Sequence, residues 1–233
     1  MLGGTAVLKK FNIAIDGPAG AGKSTIARLV ANALGFVYVD TGAMYRAITW
    51  KMLQQNLIPD QAEAVIELAR QTKIELIPNE DGQQVFVDGN PVTNQIRKPE
   101  VNFYVSAVSG IGPVREVLVA MQKELAAQKG VVMDGRDIGT KVLPDAEVKI
   151  FLTASREKRA QRRLQEMQEA GMETTFEQLV EDIARRDRLD EQREISPLVR
   201  AEDAVLLDST ELSIEQVVDR ILDLCKANVG GGK

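Results

Sequence analysis

Residues 17–24 read GPAGAGKS, which fits the pattern G-x-x-x-x-G-K-[ST]. Glycines let backbone N–H groups converge on an oxyanion with no Cβ in the way. A helix opening near Lys23 adds unpaired N–H groups and the positive end of its dipole. Gly17, Pro18, Ala19, Gly20, Ala21, Gly22, Lys23, Ser24 and Thr25 are therefore read as the cradle of a nucleoside triphosphate. In such a cradle the lysine bridges the β- and γ-phosphates, and the Ser24 hydroxyl ligates the Mg²⁺ they carry. The alternative is a glycine-rich turn with a surface lysine. An apolar run before the pattern and an amphipathic segment after it argue for the cradle.

A triphosphate site needs an acceptor, and three strings could bind a second anion. DTGAMYR (40–46) carries Asp40, Thr41 and Arg46 just after an apolar run. DGRDIG (134–139) carries Asp134, Arg136 and Asp137 after another. In an open α/β sheet such strand ends open into the ligand crevice. The third string, RRDRLDEQR (185–193), sets Arg186, Asp190 and Arg193 at i, i+4 and i+7, on one helical face. Taken alone, this third group also fits a solvated helix face with internal ion pairs. A basic run follows position 155, with Arg159 and Arg163 at i, i+4 able to face a transferring phosphoryl group. A solubilising face is its bland alternative.

Secondary-structure elements must hold these residues. The runs 11–16, 36–40, 131–134, 148–153 and 204–208 are short, apolar and β-rich, as expected of parallel strands covered on both faces. Helical spacing marks 23–34, 43–53, 100–109, 112–129 and 155–170. Capping-box patterns at Asp60/Glu63, Thr174/Glu177 and Ser213/Gln216 open further helices. Runs 73–78 and 84–89 alternate and read as a hairpin in an inserted lobe. Alternating β and α elements predict an α/β fold with a doubly wound parallel sheet. The whole forms one domain: a core of 1–40, 100–153 and 195–233, a lobe of about 41–99, and a short helical lid of about 155–193.

Composition narrows the chemistry. The 233 residues are 44% hydrophobic and 27% charged, ordinary for a globular chain. With no histidine, a His-based triad, a His-metal cluster and phosphohistidine chemistry are excluded. The single cysteine, Cys225, cannot form an internal disulfide. A net charge of −5 and scarce aromatics argue against nucleic-acid binding. No run approaches the length of a membrane helix, and MLGGTAVLKK lacks a leader pattern, so a cytoplasmic setting is expected. The GTPase strings D-x-x-G and N-K-x-D do not occur.

The set GPAGAGKST (17–25), DTGAMYR (40–46), SAVSGIGPVRE (106–116), DGRDIGT (134–140), VKIFLTAS (148–155), ARRDRLDEQR (184–193) and LDSTELSIEQV (207–217) resembles the bacterial cytidylate kinase family, P-loop nucleoside monophosphate kinases. Thr41 stands where many relatives carry Ser, keeping the hydroxyl. The resemblance implies ATP- and Mg²⁺-dependent phosphorylation of CMP and dCMP by a monomer that meets neither nucleic acid nor membrane. It implies that Arg46, Arg136 and Arg193 clamp the acceptor phosphate, and that Arg186 and Asp190 hold the ribose and its phosphate. Ser106, Arg115 and Asp137 would read the base, and Asp40, Thr41 and Asp134 complete the CMP site. Lys23, Arg136, Arg159 and Arg163 would carry catalysis. Base chemistry agrees: a carboxylate suits the cytosine N4 amino group, and an arginine suits N3 and O2. A nucleotide-dependent regulator, or a kinase for another monophosphate, remain the rival readings.

Overall fold

A computed structural model describes residues 10–79, 82–169 and 171–229. The expectations about the leader and the glycine-rich end at 230–233 lie outside these. Five strands form the core sheet: β1 (Asn12–Asp16), β2 (Val37–Asp40), β6 (Val131–Gly135), β7 (Val148–Thr153) and β8 (Val205–Asp208). Their order is β2-β6-β1-β7-β8, and every pairing is parallel.

Alternation along β1 explains its apolar continuity. Ile13 and Ile15 pack with Val30 of α1 (Lys23–Leu34), Ile150, Leu152 and Ile221 of α8 (Ile214–Val229). Ala14 faces the other way, with Val39, Val119 and Met133. Helices thus cover both faces, and all carboxyl ends of the strands open on one rim. Gly35 ends α1 at φ 66, satisfying the carbonyls of Ala31 and Asn32.

The lobe is larger than a hairpin. Helices α2 (Thr41–Gln54), α3 (Ala62–Gln71), α4 (Pro99–Gly110) and α5 (Gly112–Ala126) share one apolar cluster around Met44, Ile48, Leu68, Val108 and Leu118. Strands β3 (Ile74–Asn79) and β4 (Gly82–Val87) pair as expected, and a two-residue strand, β5 (Asn90–Pro91), makes a third. That strand is too short to show periodicity. The sheet closes over α2 through Val85, Val87, Ala43 and Ala47.

Two caps differ from the sequence reading. The N-cap of α3 is Gln61 with no side-chain cap, so Asp60 and Glu63 form no capping box. Gln61 instead accepts from the Ile58 N–H with its side chain. In the lid, α6 (Arg156–Glu169) and α7 (Phe176–Gln192) pack through Ala160, Leu179 and Ile183. The capping box of α7 is Thr175 with Gln178, one residue later than expected. Ser213 and Gln216 do cap α8 reciprocally. Among the described residues no single helix is long and apolar enough to cross a membrane.

Gly17 fixes the start of the cradle. At φ 146 its Cβ would sit 1.9 Å from the carbonyl oxygen of Leu152 on the neighbouring strand. Gly35 has open space around the same position. Gly17→Ala is expected to lower unfolding stability by more than about 2 kcal/mol, and Gly35→Ala by about 1 kcal/mol, in urea titrations. Equal effects would mean that backbone conformation alone, and not the clash, governs Gly17.

Candidate active site

The cradle lies between β1 and α1. Gly22, at φ 87, precedes α1 and offers no side-chain cap, which leaves the first N–H groups of the helix for an anion. Lys23 is buried and folds back to donate to the Pro18 carbonyl at 2.8 Å. Burial, with repulsion from Arg136, pushes its ammonium pKa down to about 7 despite the nearby Asp134. Ser24 Oγ donates to Asp134 Oδ2 and Tyr38 Oη to Asp134 Oδ1, both at 3.0 Å. Burial, and then the charge of Asp40, raise the Asp134 carboxyl to about 6.

The acceptor side starts where β2 runs directly into α2. Asp40 caps that helix by accepting from the Ala43 N–H at 2.8 Å and pairs with Arg46 at 2.7 Å. Burial works against its charge, but Arg46 and Arg97 outweigh it and hold the carboxyl below the ordinary range. Thr41 Oγ1 donates to the Asp134 carbonyl at 2.7 Å, joining α2 to β6. Gln83 of the small sheet accepts from the Asp40 N–H and donates to the Tyr38 carbonyl.

Four arginines converge above these strand ends. Arg136 Nε donates to Asp190 Oδ2 at 2.7 Å, bridging β6 to α7. Arg193, just past α7, donates to the Ser196 carbonyl. Arg46 Nε, Arg186 Nε and Arg193 Nη2 are buried with no hydrogen-bond partner. Burial, then Arg136, depress the Arg186 guanidinium to about 10. Buried, unpaired donors on crowded cations suit an anion. They line a cleft of about 880 Å³ that also includes Lys23, Ser24 and Arg163.

At the inner end of the cleft Arg115 and Asp137 form a buried ion pair. Arg115 also donates to the Ser109 carbonyl at 3.1 Å and lies 5.3 Å from the Tyr45 ring centroid. Ser106 is buried beside them on the cleft wall. Strings from five parts of the chain therefore meet in one cavity.

Arg159 and Arg163 do not both face the cleft, contrary to the expectation from their i, i+4 spacing. Arg159 is buried and turned inward, bidentate on Asp187 at 3.0 and 2.8 Å. It also donates to the Ala19 carbonyl of the cradle at 2.9 Å and to Ala154 at 3.0 Å. The reason is Asp187, whose planar carboxylate matches the guanidinium fork. Arg163 faces the cleft edge and pairs with Glu166. Arg162 makes a second tie, donating to the carbonyls of Ser209 at 2.7 Å and Ala21 at 3.3 Å. Tyr38 and Gln83 escaped sequence reasoning, while Arg162 lay in the basic run and Asp187 in the mixed-charge string without a role assigned to either.

A parallel sheet with a phosphate cradle and an arginine-lined acceptor cleft beneath a helical lid defines a nucleotide-dependent phosphotransferase. The cytidylate kinase family model matches residues 13–227. A cytidylate kinase of Caldicellulosiruptor bescii is 54% identical over 217 residues, 93% of this chain and 96% of that protein. One from Bacillus subtilis is 54% identical over 215 residues, 92% and 96% of the two chains. The chain belongs to the cytidylate kinase family, and is a nucleoside monophosphate kinase. A solved structure of an uncharacterized protein from Eubacterium ventriosum shares the fold, with a TM-score of 0.52 at 11% identity, covering 94% of this chain and 99% of that one.

The lowered Lys23 pKa has a measurable consequence. Near pH 8 the free ammonium is largely neutral, and triphosphate binding favours its charged form. ATP binding at pH 8 is therefore expected to take up about one proton, falling toward zero below pH 6, in calorimetry across buffers of different ionisation enthalpy. Uptake that persists in Lys23→Met would assign the proton elsewhere.

Proposed function

We propose how this cleft carries out the family's reaction, ATP + CMP → ADP + CDP, with dCMP as a second acceptor. The observation that carries the reading is the buried Arg115–Asp137 pair, set in the same cleft as Lys23.

The cradle binds the ATP phosphates through its backbone N–H groups and Lys23. Arg46, Arg136 and Arg193 take the CMP phosphate, with their buried unpartnered donors on Arg46 and Arg193 now filled. Arg186 and Asp190 hold the ribose and its phosphate, while Asp40 and Thr41 keep α2 and Arg46 in register. Asp137 accepts from the cytosine amino group, and Arg115 donates to N3 and O2, with Ser106 beside them. Uracil reverses the polarity at two of these atoms and leaves buried groups unpaired.

The attacking oxygen belongs to a phosphate already ionised at neutral pH. No general base is needed, in keeping with a chain that has no histidine. What remains is charge neutralisation and in-line alignment. Lys23, Arg136 and Arg163 supply cations around the transferring group, and removing one such contact should cost about 3 kcal/mol, roughly a hundredfold in rate. Arg159 acts differently, holding the lid to the cradle through Asp187 and Ala19.

Magnesium fits the oxygen donors present. Ser24 Oγ and the Asp134 carboxylate are hard ligands side by side, as this ion prefers. With ATP bound, Ser24 would be the protein ligand that holds the ion. The ion would supply charge neutralisation during transfer. We further propose a cytoplasmic monomer acting on small molecules alone.

A panel of nucleoside monophosphates in a coupled ADP-release assay tests the reading. CMP and dCMP are expected to be the preferred acceptors. Arg115→Met and Asp137→Ala are each expected to weaken CMP by about a hundredfold while the KM for ATP stays within about twofold. Wild-type CMP saturation in both variants would remove the base site from this pair.

A further inference from the structure

Asp16 is buried at the end of β1, immediately before the cradle. Its backbone lies in parallel register with Gly135 of β6 and Phe151 of β7, and both its carboxylate oxygens reach beyond the strand. Oδ1 accepts from the Ile138 N–H at 2.8 Å and Oδ2 from the Gly139 N–H at 2.7 Å. These two residues directly follow Asp137 and open a π-helical turn, Ile138–Val142. Asp137 itself stands at φ −142, ψ 29, outside regular helix or strand geometry. Strand β6 ends at Gly135, and the Asp137 carbonyl accepts from the Lys141 and Val142 N–H groups within the turn, which leaves the Ile138 and Gly139 N–H groups for Asp16. The Ile138 side chain is anchored in the core with Met133 and Val142, so the turn is tied down on its far side as well.

We infer that Asp16 is a positioning residue for cytosine selection, setting the Asp137 carboxylate and its Arg115 partner from the donor side of the cleft. This rests on the reading of Asp137 as a base contact. By accepting from both N–H groups, Asp16 ties the 138–139 backbone to the end of β1. Gly139 leaves room for it: a Cβ there would lie 3.3 Å from Asp16 Oδ2 and 3.3 Å from Lys149 Cδ. Because Asp16 adjoins Gly17, the same residue spaces the base reader from the ATP phosphates. Burial pushes its carboxyl up to about 6 even though both N–H groups favour the charged form. A group with only a packing role would not require a buried carboxylate there.

The test is Asp16→Asn. Asparagine keeps the shape but turns one oxygen into a donor, which must then face an N–H. Wild type, Asp16→Asn, Asp137→Ala and the double variant are compared by KM and kcat for CMP, UMP and ATP, with folding checked by circular dichroism. Asp16→Asn is expected to raise the KM for CMP about tenfold and narrow the CMP-to-UMP ratio of kcat/KM, with the KM for ATP within about twofold. The double variant should lose no more selectivity than Asp137→Ala alone, as residues acting in series do. A folded Asp16→Asn with wild-type selectivity overturns the inference, as does a rise in the KM for ATP without a change in selectivity. Wild-type selectivity in Asp137→Ala overturns the base reading itself, which separates the two failures. Where Asp16→Asn fails to fold, Gly139→Ala presses on the same carboxylate. It should shift selectivity in the same direction by less, and unchanged selectivity there overturns the inference.

Discussion

Holding several cations in one buried cleft before their anion arrives is the constraint on which this structure depends. Lys23, Arg46, Arg136, Arg186 and Arg193 all face the same cavity. Burial, and then repulsion from Arg136, depress the Lys23 and Arg186 cations. The fold offsets this with carboxylates at the strand ends and on α7. Asp40 takes Arg46, and Asp190 takes Arg136. The compensation is incomplete, and buried donors remain unsatisfied on three of the arginines. A phosphate monoester would complete them. Unmade hydrogen bonds cost more in a buried site than in water, which is the basis for the anion role proposed above.

Asp134 connects the two halves of this arrangement. Its side chain engages Ser24 of the cradle and Tyr38 of β2, and its carbonyl receives Thr41 of the acceptor helix. Donor and acceptor sides are therefore indexed to one residue on the central strand pair. The lid is indexed to the cradle in a similar way, through Arg159 and Arg162 on the carbonyls of Ala19 and Ala21. Lid position and loop shape are thereby linked. The absence of histidine fits this design. Phosphoryl transfer to an ionised acceptor needs cations and geometry rather than a proton shuttle.

The phosphate cradle was legible because its chemistry is local: eight consecutive residues fix their own turn, and flanking periodicity supplies strand and helix. The five core strands were legible for a related reason. Parallel strands covered on both faces must be continuously apolar. Short elements and caps were less so. Asp60 with Glu63 has the pattern of a capping box, but the chain entering α3 places Gln61 at the cap. Strand β5, two residues long, exists only because β4 lies beside it. The clamp residues on α7 looked like any mixed-charge helix face, since spacing alone cannot distinguish solvent from a cleft.

By itself the sequence determined the triphosphate cradle, the α/β class, the exclusion of imidazole chemistry and the residue types available to an acceptor site. Each follows from composition or from contacts within a few residues. Only the tertiary structure decided which arginine meets which carboxylate. Arg159 and Arg163 share a helical spacing, yet one is spent on Asp187 and the other faces the cleft edge. Asp16 looked like the last residue of a strand, yet it holds a turn 122 positions away. Such pairings depend on strand order and helix packing, and those arise from burial summed over the whole chain rather than from any local string.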